Sequence, residues 1–273
     1  MTTGASELSV ADLAKAFGEV GLSGGDSVIV HSSFRSLMPV EEGPAGVIRA
    51  LLDALGPGGN LMLPTFNYSS PLPQPYFDPQ ATPGRTGVVA ETGRRWCGAV
   101  RSLHPTHSVA VIGPDRDQLT RDHLQCRAFG IDSPIDRLAK RGGKVLLIGV
   151  GHIVNSAVHL GEEYAEVPKA PWPCGLPTVK VRMPDGRVID HQFDTSPSCS
   201  SAFGGVEHAL RRKDRIRDLR LGQSKFQLMD AAAVIDCTRE MIAEKPDVLL
   251  CTWPGCMPCT GARANLRRAG RLP

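Results

Sequence analysis

Blocks of apolar and polar residues follow one another along the chain in an order typical of α/β proteins. Residues 9–20 carry apolar side chains at helical spacing, with Ser9 in the capping position. Residues 27–30 are a short, continuous apolar run of the kind that forms a buried strand. The alternation of helices and strands continues through segments 46–55, 61–66, 86–96, 110–112, 134–140 and Lys144–Ile148. This order predicts a three-layer α/β/α sandwich.

The pattern changes after Pro168. Residues 169–177 are rich in proline, and residues 178–193 alternate as a β-hairpin does, with Asp185 and Gly186 at its turn. Helical patterns return at 202–213 and 231–244. We therefore expect a single domain over residues 1–273, with a small β-hairpin insertion at 169–195 and a cysteine-rich tail at 246–273.

Composition excludes several classes of function. The chain has 273 residues, and its 31 basic residues are nearly balanced by 28 acidic ones, so nucleic-acid binding gains no support. Apolar runs stay well below the roughly 20 residues that span a membrane. The N-terminal residues lack the charged and apolar regions of a signal peptide. We expect a cytoplasmic protein with no membrane partner.

The most informative stretch is KVLLIGVGHIVNSAVHLGEE, at residues 144–163. A buried strand ends at Gly149, and Asn155 or Ser156 can cap the helix that follows. Helical spacing then places His159 one turn before Glu162. A carboxylate that fixes the tautomer of an imidazole makes it a general base. The alternative is an ordinary His–Glu pair on a partly exposed helix.

Two further segments combine polar residues with a strand end. His31, Ser32 and Ser33 follow the strand at 27–30, where small hydroxyl residues and their amides can bind an anion or a carbonyl oxygen. Residues 101–109, RSLHPTHSV, hold an arginine, two histidines and two serines before the next strand. An ordinary strand end and a local capping network are the respective alternatives.

Cysteines cluster toward the C-terminal end of the chain. The spacing of Cys251, Cys256 and Cys259 is typical of a structural zinc site, and in a reducing compartment a metal is favoured over disulfides. Cys199 is the preferred fourth ligand, with Cys237 and His208 as alternatives. Free thiols or a redox pair would explain the same residues without a metal.

Together these segments resemble the aminoglycoside 3-N-acetyltransferase family over most of the chain. The segments that carry the resemblance are VIVHSS (28–33), LMLPTF (61–66), TG (86–87), RSLHPTHSVAVIG (101–113), FGIDSP (129–134) and LLIGVGHIVNSAVHLGEE (146–163). The resemblance implies an α/β/α fold and direct transfer of acetyl from acetyl-coenzyme A to an amine. Where the family usually has Asn-Thr before its histidine, this chain has Asn155 and Ser156.

The resemblance also implies roles for individual residues. His159 and Glu162 correspond to the family's catalytic pair, and Ser32, Ser33 and their amides are candidates to stabilise the oxyanion. Coenzyme A is expected in a cleft formed by the two polar segments, with His31, Ser32, Ser33, Phe34, Arg101, Ser102, His104 and Ser108 as candidate contacts.

The expected function is acyl-coenzyme A-dependent N-acylation of a small-molecule amine, with a structural zinc in the tail. The amine is either aminoglycoside-like or a secondary metabolite, and the acyl group is acetyl or another small one. A homodimer is one alternative for the assembly. Two other functions remain open: a cysteine-dependent acyltransferase or hydrolase using Cys97 with His104 or His107, and an interaction protein that docks through its zinc tail.

Overall fold

A sheet of seven strands forms the centre of the computed structural model, which describes residues 7–67, 74–169, 176, 178–193 and 198–273. The helices are α1 (Val10–Val20), α2 (Pro44–Leu55), α3 (Val88–Arg94), α4 (Arg116–Thr120), α5 (Pro134–Lys140), α6 (Ser156–Tyr164), α7 (Gly205–Arg212), α8 (Ala231–Glu244) and α9 (Met257–Arg268). The strands are β1 (Ser27–Ser32), β2 (Asn60–Pro64), β3 (Tyr76–Phe77), β4 (Val100–Arg101), β5 (Val109–Ile112), β6 (Lys144–Ile148), β7 (Thr178–Arg182), β8 (Val188–Gln192), β9 (Arg217–Leu221) and β10 (Ser224–Asp230).

Three parallel strands lie at the middle of the large sheet. The strand order is β4-β5-β2-β1-β6-β10-β9, and β1 pairs in parallel with both β2 and β6. The outer strands β5 and β10 pair antiparallel with β2 and β6. Because the parallel strands all end at one edge, the residues that follow them meet there.

Alternating side chains of the central strands divide the core into two layers. On β6, Val145 and Leu147 pack with α4 to α8, whereas Leu146 and Ile148 pack with α1, α2 and α3 on the opposite face. Ile29 of β1 likewise contributes to the first layer while its neighbours contribute to the second. Successive strand side chains thus point to opposite faces of the sheet, and helices cover both faces. This arrangement confirms the predicted α/β/α sandwich.

Two regions contain elements that the sequence pattern does not predict. Residues 214–230 form β9 and β10, and β9 (RDLRL) lies at the edge of the sheet, where its charged residues face solvent and mask a strand pattern. Residues 257–268 form α9, which buries only Cys259, Ala262 and Leu266. Small residues and a proline hide its helical periodicity.

The predicted hairpin at 178–193 is present as β7 and β8, joined by a turn in which Gly186 adopts a φ of 85°. It pairs with β3 in a separate three-stranded sheet and buries a small cluster of Phe77, Val179, Val181 and Phe193. Residues 170–175, 177 and 194–195 of the proposed insertion lie outside the described residues. Its status as a subdomain therefore stays a prediction.

Among the described residues, every helix is too short or too polar to cross a bilayer.

Close packing of α6 against α8 depends on a glycine. A Cβ at Gly161 would lie 2.5 Å from the side chain of Thr238 on α8, which is too close for two carbon atoms. We predict that Gly161→Ala lowers the free energy of unfolding by about 1–3 kcal/mol, because overpacking forces the two helices apart. Chemical denaturation followed by circular dichroism measures this change.

Gly18 on α1 is the matched control. It is helical and exposed, and a Cβ there meets nothing within 4 Å, so Gly18→Ala should raise the stability by up to about 1 kcal/mol. Equal responses of the two variants would contradict the packing argument.

Candidate active site

A cleft opens where the three parallel strands end. His31 and Ser32 of β1 line it, together with Pro64 of β2 and Val150, which follows β6. Asn155 and Ser156 at the start of α6 form the adjacent wall. This edge of an α/β sheet is where such folds commonly bind ligands.

The His159–Glu162 pair lies at this cleft, as the helical spacing predicts. The Asn155 side chain caps α6 by accepting a hydrogen bond from the Ala157 amide, at 3.1 Å. His159 lines the cleft, and its Nδ1 lies 2.9 Å from Oε2 of Glu162, which is buried. Since a carboxylate only accepts, Nδ1 carries a proton in this contact, and Nε2 is the ring nitrogen that can accept a proton from a substrate.

Two aromatic rings hold the imidazole in place. Phe129 stacks on His159 with ring centroids 4.8 Å apart and an interplanar angle of 18°. Phe203 meets the same ring edge-on, with centroids 4.6 Å apart. The ring therefore has packing on its face and its edge in addition to the hydrogen bond at Nδ1, which fixes its orientation.

The Glu162 carboxylate has a second partner that sequence reasoning missed. Lys169 Nζ lies 3.0 Å from the same Oε2 atom. Burial by itself raises the pKa of the Glu162 carboxyl, but the Lys169 ammonium and the His159 hydrogen bond outweigh it, so the pKa lies below its ordinary value. The carboxylate is thus ionised at neutral pH.

Of the predicted contacts at the end of β1, His31 and Ser32 line the cleft. Burial, assisted by nearby His152, lowers the pKa of His31 to about 3, so the imidazole is neutral. The Ser33 amide instead donates to the Ile148 carbonyl at 2.8 Å, which removes it as an oxyanion donor. Phe34 begins a short 3-10 helix and packs against the layer formed by α1 to α3.

The second polar segment lies mostly behind the cleft. Arg101 donates to the carbonyl oxygens of Pro79, Thr82 and Thr65 and to the Ser108 hydroxyl, and its guanidinium lies over the Phe77 ring. Such contacts tie the loop after β2 to β4 and β5. The guanidinium is therefore engaged within the protein, and its predicted contact with coenzyme A would require breaking these bonds.

Ser102 and His104 are buried beside Arg101. The Ser102 hydroxyl lies 2.8 Å from His123 Nδ1, and the His104 ring packs against the rings of His107 and His123. Neither residue lines the cleft. Their predicted roles in coenzyme binding stay predictions, since the structure shows only their contacts within the protein.

Several cleft residues were not among the predicted contacts. His107, Phe129, Arg85 and Thr86 all line it. Burial lowers the pKa of His107 to about 3, so this second imidazole is neutral as well. Phe129 and Thr86 lie in the short FGIDSP and TG segments, and the resemblance of these segments to the family is the sequence signal that could have indicated them. Sequence alone did not reveal that these segments face the histidine.

The four predicted metal ligands come together. The sulfur atoms of Cys199, Cys251, Cys256 and Cys259 all lie within 4.8 Å of one another. Tetrahedral zinc with bonds of about 2.3 Å places its sulfurs about 3.8 Å apart, so the thiols need to close by no more than about 1 Å. The alternative Cys237 is buried in α8, outside this cluster. The donor set fits a structural zinc.

The sequence is similar to those of known acetyltransferases over most of its length. A family model described as aminoglycoside 3-N-acetyltransferase matches residues 29–243. The chain is 33% identical over 233 residues to aminoglycoside N(3)-acetyltransferase IV from Salmonella sp, covering 85% of this chain and 86% of that protein. Aminoglycoside N(3)-acetyltransferase VII from Streptomyces paromomycinus is 30% identical over 262 residues, covering 85% and 91% of the two chains.

Solved structures give the same result. The apoenzyme of aminoglycoside acetyltransferase AAC(3)-IVa superposes with a TM-score of 0.83 and 31% identity, covering 96% of this chain and 99% of that one. The binary complex of AAC-IIIb with CoASH has a TM-score of 0.76 and 26% identity, covering 88% and 98%. The chain belongs to the aminoglycoside 3-N-acetyltransferase family. The predicted family and the predicted class of enzyme, an N-acetyltransferase, are confirmed.

The contacts of Arg101 lead to a prediction about stability. Arg101→Met should lower the free energy of unfolding by at least about 2 kcal/mol, because it removes the donor to the half-buried carbonyl oxygens of Pro79 and Thr82 and one of the two side-chain donors to the Thr65 carbonyl. Arg95→Met is the control: its side chain is 68% exposed and paired with Glu91, so its loss should cost at most about 1 kcal/mol. Thermal unfolding measures both.

Titration of each variant with coenzyme A separates the two roles of Arg101. A weakened coenzyme complex in an Arg101→Met protein of unaltered melting temperature would show a direct phosphate contact and contradict the structural role.

Proposed function

We propose that this protein transfers an acetyl group from acetyl-coenzyme A directly to an amine, with His159 as general base and Glu162 as its orienting carboxylate. The observation that carries the proposal is the pair itself: His159 lines the cleft and Glu162 is buried beneath it. The structural relative AAC-IIIb is described as a binary complex with CoASH, which supports the same co-substrate here.

In the proposed reaction the amine nitrogen attacks the thioester carbonyl of acetyl-coenzyme A. His159 accepts the amine proton at Nε2 as the bond forms, and Glu162 stabilises the resulting imidazolium through Nδ1. Collapse of the tetrahedral intermediate breaks the carbon–sulfur bond. The imidazolium then returns its proton to the departing sulfur, which leaves as the coenzyme A thiol.

Charge that develops on the carbonyl oxygen requires a hydrogen-bond donor. The Ser32 hydroxyl and the neutral His31 imidazole both lie at the cleft, and either can donate without adding net charge. The Ser156 amide lies 3.5 Å from His31 Nε2, an arrangement that makes Nε2 the acceptor and leaves the ring proton on Nδ1. We propose Ser32 and His31 as these donors.

Binding of the coenzyme phosphates requires positive charge. Within the described part of the chain, Arg85 supplies the charged side chain of the cleft lining. An arginine can bind a phosphate with two parallel hydrogen bonds. We propose Arg85 as a phosphate contact, in addition to the predicted contacts at the end of β1.

The proposed acceptor is an amine of an aminoglycoside or a related amino sugar. A variant of AAC(3)-IVa in which a histidine is replaced by alanine is described in complex with a gentamicin, and AAC-VIa is described as bound to sisomicin. One observation favours a second candidate, an amine of lower charge. The lining contributed by the described residues contains no carboxylate that would attract a polycation. Turnover with gentamicin compared with a singly charged amino sugar distinguishes the two.

Replacement of the base gives the sharpest test of the proposal. His159→Ala should lower kcat by roughly 10²–10⁴-fold and leave coenzyme A affinity nearly unchanged, because a general base acts in the transition state. Glu162→Gln should do less damage, since the proton acceptor remains. Release of free coenzyme A thiol measures turnover.

The matched control is His208→Ala, which removes an exposed histidine of α7 and should retain full activity. Retention of more than about a tenth of the wild-type rate in His159→Ala would exclude His159 as the base.

The described lining of the cleft also contains no cysteine, and Cys97 is exposed outside it, so nothing favours the cysteine-dependent alternative.

We also propose that the four clustered cysteines hold one structural zinc. Such an ion would link the tail to the segment at Cys199, and with four protein ligands it would take no part in the chemistry. An amide–sulfur contact supports the site, because the Cys251 amide lies 3.3 Å from Cys259 Sγ. Hydrogen bonds of this kind stabilise thiolate ligands.

Protein purified without chelator should contain one equivalent of zinc per chain. Cys199→Ser should lose most of it and melt at a lower temperature, because metal binding contributes to folding. Cys97→Ser should retain the metal and the stability. Elemental analysis measures the metal, and less than half an equivalent in the wild-type protein would contradict the site. Zinc loss in Cys237→Ser would instead indicate a different fourth ligand.

A further inference from the structure

Lys169 makes a contact to the catalytic pair that the His–Glu motif does not include. Its Nζ lies 3.0 Å from Glu162 Oε2, the same oxygen atom that lies 2.9 Å from His159 Nδ1. Only 12% of the Lys169 side chain and 4% of the Glu162 side chain are exposed. The ammonium and the imidazole therefore share one buried carboxylate oxygen.

We propose that Lys169 is a positioning residue, which holds the Glu162 carboxylate in the orientation that receives the His159 N–H. This inference rests on the proposed role of His159 as the base. A buried carboxylate without a cation is strongly destabilised and moves toward water or another partner. Because Lys169 contacts the same oxygen, the Glu162 rotamer that accepts the His159 N–H is also the rotamer in which the Lys169 ammonium neutralises the buried carboxylate.

The segment that carries Lys169 is held by the C-terminal helix. Asn265 of α9 donates through Nδ2 to the Lys169 carbonyl at 2.9 Å. Arg271 donates to the carbonyl oxygens of Glu166 and Ala165, which follow α6, at 2.8 and 3.2 Å. The chain end thus fixes residues 165–169 from two points.

The cysteine cluster lies at the N-terminal end of the same helix. Cys259 is in the first turn of α9, and Cys256 immediately precedes the helix. Cys199, Cys259, Lys169 and Glu162 also border one small crevice. The cluster therefore anchors α9, α9 holds Lys169, and Lys169 holds the carboxylate that orients the base.

Lys169→Met tests the inference, because it keeps the length of the side chain and removes the charge. We expect kcat to fall by about 10- to 100-fold, as a small misplacement of a catalytic group does, with KM for acetyl-coenzyme A changed less than about twofold. Lys169→Arg retains a cation and should recover kcat to within about threefold of wild type. Asn265→Ala should give a smaller loss in the same direction.

Lys144→Met is the matched control. Lys144 is also a partly buried lysine on a carboxylate, 2.6 Å from Asp26, but it lies at the opposite end of β6 from the cleft. This variant should lose stability and keep kcat. An equal loss of kcat in both lysine variants would show a general effect on folding and overturn the inference.

A double variant separates positioning from an independent role. If Lys169 acts through Glu162, adding Lys169→Met to Glu162→Gln should lower kcat little further. A fully additive loss, or a rise in KM for the amine without a change in kcat, would overturn the positioning role. Full turnover in His159→Ala would overturn the proposed base and this inference with it. Full turnover in Lys169→Met beside an inactive His159→Ala would overturn the role of Lys169 alone.

Discussion

The site depends on one buried charge, the carboxylate of Glu162. Glu162 is buried, and a buried carboxylate is costly unless cations and hydrogen bonds surround it; here a single oxygen contacts both His159 and Lys169. That requirement restricts which side chains can lie next to Glu162. The rings of Phe129 and Phe203 then pack around the imidazole that the carboxylate has oriented.

Sheet topology brings this charge to the cleft. The parallel pairing of β1 with β6 sets Ser32 opposite Ile148, so the two strands end side by side. Gly149 then adopts a φ of 63°, and a Cβ there would collide with Ser36, so the chain can turn toward α6 only with glycine at this position. Because of this turn, α6 begins next to the strand ends, and the helical repeat then places His159 at the cleft.

Local patterns predicted this part of the molecule well. The bounds of β6 and α8 agree with the predicted segments, and the three-residue spacing of His159 and Glu162 was sufficient to pair them. Such features depend on residues close in sequence, whose geometry is set by one helix or one strand. Local patterns also have a limit: β9 was missed because an edge strand with charged side chains lacks the apolar signal.

Features that depend on distant contacts were not accessible in the same way. Arg101 stands in a segment typical of a binding site, but the loop carbonyls at Pro79 and Thr82 occupy its guanidinium, and nothing local indicates that. Lys169 follows Glu162 by seven positions, beyond the end of α6, so helical spacing gave no reason to pair them. Its contact follows from the path of the chain after the helix, which α9 determines from the other end of the sequence.

The segment around Cys199 shows how the tail and the cleft are built from the same residues. Ser198 and Ser200 both line the cleft, whereas the thiol between them joins the cysteine cluster. Three consecutive residues therefore contribute both to the cleft lining and to the cysteine cluster. A metal bound to Cys199 would therefore restrict the backbone that carries the two serines beside it. A zinc ion at the cysteine cluster would thus constrain one wall of the cleft at Ser198 and Ser200. Through α9 it would also constrain Lys169, whose ammonium contacts the Glu162 carboxylate beneath the cleft. A tail of 28 residues, 246–273, is in this way part of the architecture of the site although it supplies none of the residues that line the cleft.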